Sequence, residues 1–366
     1  MNILFDIGHP AHIHYFKNAI RQLQRKGHEI IITARDKEIS LYLIDKLGFD
    51  YYCTGKNLAS KLGKLYSILR NDLSIYRVAR RTRPDVFVSF FSPFAAHVGA
   101  IMGKPVIGFN DTENARISIR FAEPFTDTIV VPNCYKGTFP PHKTVKFDGY
   151  FEMAYLHPRY FTPDPEILPQ LGVRENEKYV VMRFVSWGAN HDIGHSGMSM
   201  AMKRQAVQAL SKHAKVFISS EKSLPEDLEP YRFSLPPERM HDVLAYASLL
   251  FGESATMASE SAVLGTYAIY LDNDGRGYTD EQERHYGLVS NYSESLQDQR
   301  AAIQKGVELL QRQDVKLGAQ DRRRRLLAEK VDVTALMITV IENCSDGSKT
   351  GKSEVRFLQK PVRGNL

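Results

Sequence analysis

Short apolar runs alternate with stretches of helical spacing along the first half of the chain. Ile3–Ile7 reads as a buried strand. Behind it Phe16, Ile20 and Leu23 keep helical intervals in a segment from His14 to Arg25 that stops at Gly27. Glu29–Thr33 predicts a strand, Glu38–Leu47 a helix, Tyr51–Cys53 a short strand, and Leu58–Arg81 a long helical region closed by Pro84. Strands follow at Asp85–Ser89, Val106–Phe109 and Thr128–Val131. Repeated units with short Gly-marked turns predict a parallel, doubly wound sheet. A second series begins at strand Tyr179–Phe184. It continues with helix Met200–Lys212, strand Lys215–Ser219, helix Met240–Tyr246, strand Ser248–Phe251, helix Thr256–Leu264 and strand Tyr267–Leu271. Helices over Ser295–Gln311 and Ala319–Glu342 close it.

A chain of 366 residues exceeds one ordinary core and suits two α/β domains. The expected division is residues 1–150, a linker over 151–169 marked by Pro158, Pro163, Pro165 and Pro169, and a second domain over 170–344 whose final helix can cross back. Residues 345–366 are rich in Gly, Ser and Lys, lack periodicity and read as a mobile tail. With 43% hydrophobic and 25% charged residues, the composition is that of a soluble globular protein. A net charge of +6 permits an anionic ligand or membrane surface without demanding nucleic acid, and no nucleic-acid partner is expected. Cys53, Cys134 and Cys344 form neither a disulfide framework nor a metal motif, which suits a reducing cytoplasm; no signal peptide is expected. Val86–Gly103 carries no charge, yet Ser92, Pro93 and His97 divide it into a buried strand and a packed helix rather than a membrane span.

The chemistry is most concentrated in Leu249–Tyr270, which reads as strand, small-residue turn, helix, Gly stop and strand. A helix opening near Ser254, Ala255 and Thr256 aims free N–H groups at the strand's carboxyl end, an anion site that small residues let a diphosphate approach. Glu260 lies one turn beyond Thr256 and can accept two hydrogen bonds from ribose hydroxyls. The plain alternative is an ordinary βαβ unit with a capped helix.

Ser254-Ala-Thr-Met-Ala-Ser-Glu260-Ser-Ala-Val-Leu-Gly265 is similar to the segment that grips diphosphate and ribose in non-hydrolysing UDP-N-acetylglucosamine 2-epimerases. The GlcNAc transferase that completes the lipid-linked peptidoglycan precursor carries a looser version. The resemblance implies Ser254 on the phosphate and Glu260 on the ribose, with Ala255-Thr256 in place of the epimerases' double Gly. More weakly it spans Met1 to Asn343 and implies a GT-B-type α/β fold, two Rossmann-like doubly wound domains facing across a cleft. Gly8-His-Pro-Ala-His-Ile-His14, Asn110-Asp-Thr-Glu-Asn114 and Ser254–Gly265 together resemble an uncharacterised GT-B-like family of bacteria and archaea.

Gly8–His14 falls at the first βα turn, on the sheet edge where open α/β folds hold ligands; with one Gly it is no dinucleotide fingerprint. His12, and after it His14, suit a general base or a substrate contact; helix capping is the structural alternative, and spacings of three and two do not make a metal pair. Asp111 and Glu113 follow the strand Val106–Phe109, where acids suit acid/base chemistry or sugar hydroxyls, or else cap a helix. Glu113 is the nearest match to the epimerases' catalytic Glu. Two other epimerase residues are missing: Asp85–Pro93 ends its strand without an acid, and Met182 stands where they carry a His. Transfer is therefore favoured over epimerisation. Arg183 suits a departing diphosphate, and His191 lies in the polar loop beyond it.

Residues 56–83 hold eight Lys/Arg against Asp72, with leucines at helical spacing from Leu58 to Leu73. Such a helix can lie on anionic lipid, although an apolar face turned to the core is the simpler expectation. The sequence thus describes a metal-independent glycosyltransferase without organic cofactor, cytoplasmic with room for a peripheral contact at the inner membrane face. Its partners are a nucleotide-sugar donor, UDP-linked by the resemblance, and a glycan or lipid-linked acceptor. An epimerase-like isomerase and a non-catalytic nucleotide- or glycan-binding scaffold are the alternatives.

Overall fold

The computed structural model describes residues 1–55, 61–185, 197–220 and 223–345. The chain forms two compact units, Met1–Tyr155 with the C-terminal segment from Lys330, and Leu156–Glu329.

Unit 1 opens with β1 (Asn2–Ile7), α1 (Pro10–Arg25), β2 (Glu29–Ala34), α2 (Ser40–Lys46), β3 (Tyr52–Cys53) and α3 (Lys61–Thr82). It continues with β4 (Val86–Ser89), α4 (Pro93–Ile101), β5 (Val106–Phe109), α5 (Arg116–Ala122), β6 (Thr128–Pro132), β7 (Thr144–Phe147) and the single turn α6 (Met153–Leu156) at its boundary. The strands pair in the order β3-β2-β1-β4-β5-β6-β7, all parallel, with Phe5 opposite Ile32 and Val88. Each face of the sheet is buried. Phe5 meets Phe16 of α1 at 5.3 Å between ring centres, while Leu4, Phe87 and Ile129 pack with Ile75, Ala79, Phe94 and Val98 of α3 and α4.

Unit 2 contains α7 (Ile167–Gln170), β8 (Tyr179–Phe184), α8 (Met200–Leu210), β9 (Lys215–Ser220), α9 (Met240–Tyr246), β10 (Leu249–Gly252) and α10 (Ala255–Leu264). Then come β11 (Tyr267–Leu271), α11 (Gly277–Glu281), β12 (Val289–Tyr292), α12 (Leu296–Gln311) and α13 (Val315–Glu329). Its five parallel strands run β12-β11-β10-β8-β9, with Phe251 opposite Met182 and Ile269. Both sheets are doubly wound, and each reverses its strand order once.

Several boundaries differ from those expected. Helix α1 begins at Pro10, not near His14, because His9 caps it and proline is preformed for the first helical position. His12 and His14 therefore stand on the helix rather than in a turn. The single helix expected over Ala319–Glu342 is two, α13 and α14 (Val333–Ser345), the second capped by Asp332, whose carboxylate accepts the Ala335 N–H at 3.0 Å. Helix α14 packs beside α1 in unit 1. Strands β7 and β12, short and half-polar, add an edge to each sheet. Asp111 caps no helix, since α5 starts at Arg116. No described helix is long and apolar enough to cross a membrane.

Candidate functional site

Open parallel sheets hold ligands at the carboxyl edge where strand order reverses. In unit 2 that point lies between β8 and β10. Gly252 faces Arg183 in the ladder, and a Cβ there would sit 2.1 Å from the Arg183 carbonyl oxygen. Only glycine lets β10 end so near β8.

Glu253 comes next, buried and heavily engaged. Its carboxylate accepts the N–H of Val185 at 2.9 Å and of Met198 at 2.7 Å, and the Lys203 ammonium stands 3.1 Å away. Lys203 also lies over the Phe184 ring at 4.5 Å. A carboxylate taken out of water requires compensation of this kind. In return it ties both flanks of segment 186–196 to the residue that precedes the head of α10. Glu253 is absent from the residues singled out by sequence, although an acid just ahead of an anion site is a signal that a cation stands nearby.

Ser254 caps α10 by accepting the Met257 N–H at 3.3 Å. The first intrahelical bond runs from Ala258 to Ser254, so the N–H groups of Ala255 and Thr256 precede it. All three residues remain partly accessible. At the other end Gly265 takes the left-handed conformation, and α13 supplies cations and an amide to the last carbonyls. Lys316 donates to Gly265 at 3.0 Å, Gln320 to Leu264 at 3.1 Å and Arg323 to Val263 at 2.8 Å. The negative end of the helix is thus neutralised by protein, while the positive end opens on the sheet edge.

Glu260 keeps its expected place on α10 and gains a partner that the sequence did not indicate. Its carboxylate is buried and meets His241 Nε2 of α9 at 2.8 Å, with the His241 ring against Phe161. It lies one turn, about 5.4 Å, beneath Thr256, inside the packing of α9 on α10. Arg183 turns toward β9 and donates to Ser219 Oγ at 2.9 Å. His191 lies outside the described residues. One basic group that sequence reasoning missed, Arg276, caps α11 just beyond β11, 3.9 Å from Asp272.

In unit 1 the reversal lies between β1 and β4. Gly8 ends β1, and the guanidinium of Arg35, just beyond β2, lies across it: a Cβ on Gly8 would come 1.7 Å from Nη2. The same guanidinium stands 5.0 Å from the Phe94 ring. His9 Nδ1 accepts the Ala11 N–H at 3.2 Å. His12 Nδ1 accepts the Gly8 N–H at 3.3 Å, which leaves the hydrogen of the neutral ring on Nε2. Burial, then the charges of His9, Arg35 and Lys37, hold the His12 pKa well below 6.5. Its ring packs on Phe90 at 4.9 Å, and that of His14 on Tyr155 at 5.4 Å.

The loop after β5 is fastened to its neighbour. Asn110 donates to Tyr135 Oη at 3.1 Å, Glu113 accepts the Lys136 N–H at 3.2 Å, and buried Asp111 accepts from Thr112 Oγ1 at 2.9 Å. Burial, with the charges of Glu113 and Asp111, pushes the Tyr135 phenol up. Among the described residues no group of three His, Cys, Asp or Glu is arranged to hold a metal ion.

A family model described as "Protein of unknown function (DUF354)" matches residues 1–275. The uncharacterized protein MJ0665 of Methanocaldococcus jannaschii is 25% identical over 278 residues, 72% of this chain and 80% of that protein. Three solved structures share the fold at low identity. The S. aureus MnaA–UDP complex gives a TM-score of 0.68 at 12% identity, over 93% of this chain and 96% of that one. A putative UDP-N-acetylglucosamine 2-epimerase from Listeria monocytogenes gives 0.67 at 12%, over 96% and 97%. The spinosyn rhamnosyltransferase SpnG with spinosyn aglycone gives 0.62 at 14%, over 93% and 100%. Two doubly wound units and these likenesses identify a GT-B fold.

Proposed function

The chain belongs to the DUF354 family, and from that footing we propose that it is a metal-independent glycosyltransferase whose unit 2 binds a nucleoside-diphosphate sugar. The head of α10 carries the reading: a Ser-capped helix of small residues, open at its positive end, held where β8 and β10 diverge. The MnaA complex, of the same fold, contains UDP, which supports a uridine donor.

In this reading Ser254 and the N–H groups of Ala255 and Thr256 receive the diphosphate, and Arg183 adds positive charge at the neighbouring strand end. Glu260 bears on the ribose through its pair with His241. Unit 1 receives a glycan or lipid-linked acceptor. His12 offers an Nε2–H to it rather than a basic lone pair, because Nδ1 is already occupied by Gly8. Arg35 suits an anionic group on the acceptor. The base falls to Glu113, with Asp111 in the same loop, and His14 of α1 is a further candidate. The acceptor hydroxyl gives its proton to Glu113, its oxygen bonds to the sugar C1, and the C1–O bond to phosphate breaks with the electron pair leaving on the diphosphate. An isomerase reading is weaker: β4 ends at Ser89 and runs on into Phe90-Phe91-Ser92 without the acid that the epimerases place there.

Calorimetry with UDP tests the site. Ser254→Tyr is expected to abolish binding while costing about 1 kcal/mol of stability from the lost helix cap, with the fold retained; Glu113→Gln is expected to keep UDP affinity and lose UDP release from the donor. Unaltered affinity in Ser254→Tyr sinks the donor site. Inversion at C2 without an acceptor replaces transfer by epimerisation.

A further inference from the structure

Helix α3 carries leucines at helical spacing, which an amphipathic helix ordinarily turns toward its sheet. Here Asn71, Ile75 and Ala79 are buried instead, and Leu69 and Leu73 face outward. Ile117 and Phe121 of α5, and Phe125 in the short 3₁₀ turn Glu123–Phe125, are exposed too. These five side chains are 43% to 65% exposed. His97 of α4 joins them into one surface. Its Nδ1 lies 3.1 Å from Asp72 of α3, its Nε2 3.2 Å from the Phe121 carbonyl oxygen, and its ring 5.0 Å from that of Phe125. Contiguous large apolar side chains on a surface mark something that covers them.

Charge indicates what. Residues 69–83 hold five arginines and residues 116–125 two more, all exposed, against Asp72, already engaged by His97, and Glu123. A second copy of the chain docked symmetrically would set these arginines against one another. A surface of uniform negative charge above an apolar interior matches both features at once. We propose that the α3–α5 face of unit 1 docks on an anionic lipid bilayer, with Leu69, Leu73 and Phe121 entering the acyl boundary and the arginines meeting headgroups. The proposal stands apart from the nucleotide-binding reading and reaches beyond the α3 segment to α5 and the turn after it.

The full chain is to be sedimented with vesicles of phosphatidylglycerol and phosphatidylcholine, and with pure phosphatidylcholine. Binding is expected only to the anionic vesicles, falling with salt and falling about tenfold or more in Leu73→Glu/Phe121→Glu and in Arg77→Gln/Arg80→Gln. The arginine pair leaves the apolar side chains in place, and melting temperature monitors folding in both variants. Failure to sediment with anionic vesicles, equal binding to neutral ones, or binding untouched in folded variants overturns the proposal. So does an oligomer in light scattering that Leu73→Glu/Phe121→Glu disperses, since a protein then covers the face.

Discussion

The reversal points of the two sheets, at the ends of β1 and β10, share a topology and differ in material. Each strand stops at a glycine whose Cβ has no room, and each leads into a helix whose N-terminus faces the sheet edge. At Gly252 the obstacle is the Arg183 backbone, and the helix head beyond it is built of small residues: Ser254, Ala255 and Thr256. At Gly8 the obstacle is the tip of the Arg35 side chain, and the helix head beyond it is lined by larger groups: His9, His12 and, packed on His12, Phe90. A bare helix end supplies general affinity for an anion. An end lined with imidazoles, a guanidinium and rings supplies selectivity through side-chain shape and hydrogen-bond direction. The contrast matches the division of labour we propose, with a donor grasped by its diphosphate in unit 2 and an acceptor sorted by its side-chain contacts in unit 1.

Gly252→Ala should show the largest effect. The new methyl meets backbone that cannot swing aside, so unit 2 is expected to lose on the order of 4 kcal/mol or more and UDP binding with it. Denaturant unfolding checks this, and a loss under about 1 kcal/mol would show that β8 and β10 can part. Gly8→Ala should break the symmetry. Arg35 can rotate away, so stability is expected to stay within about 1 kcal/mol while acceptor turnover falls and UDP affinity holds. A collapse equal to that of Gly252→Ala would make the two ends alike.

The smallest expected effect is a pH dependence at His12. Its folded pKa is held below 6.5, so between that value and 6.5 the unfolded chain binds the extra proton. The stability associated with neutral His12 is therefore complete above pH 6.5 and is lost as pH falls below it. His12→Gln, which can still accept from Gly8, should flatten that part of the melting-temperature profile. An unchanged profile would mean that the folded ring titrates normally and is free to serve as a base.

Much of the architecture around α10 was legible in the residues. The start of α10 near Ser254 and its stop at Gly265 are local features, set by neighbours within a turn, and both appear where the sequence placed them. Glu253 was not legible as an anchor, because Val185, Met198 and Lys203 lie 50 or more residues away. Nor was the His241 partner of Glu260, 19 residues upstream on another helix.

The sequence by itself determined the order of the central strands and helices of both units, the head of α10 and Gly8 at the first turn. Periodicity and capping act over a few residues, and the chain carries them wherever it folds. The tertiary structure decided which strands lie beside which, that α14 rejoins unit 1, that Glu260 is occupied by histidine, and that Leu69 and Leu73 of α3 face outward. Spacing tells which residues of a helix share a side; only packing against Ile75 and Ala79 selects the side that is covered.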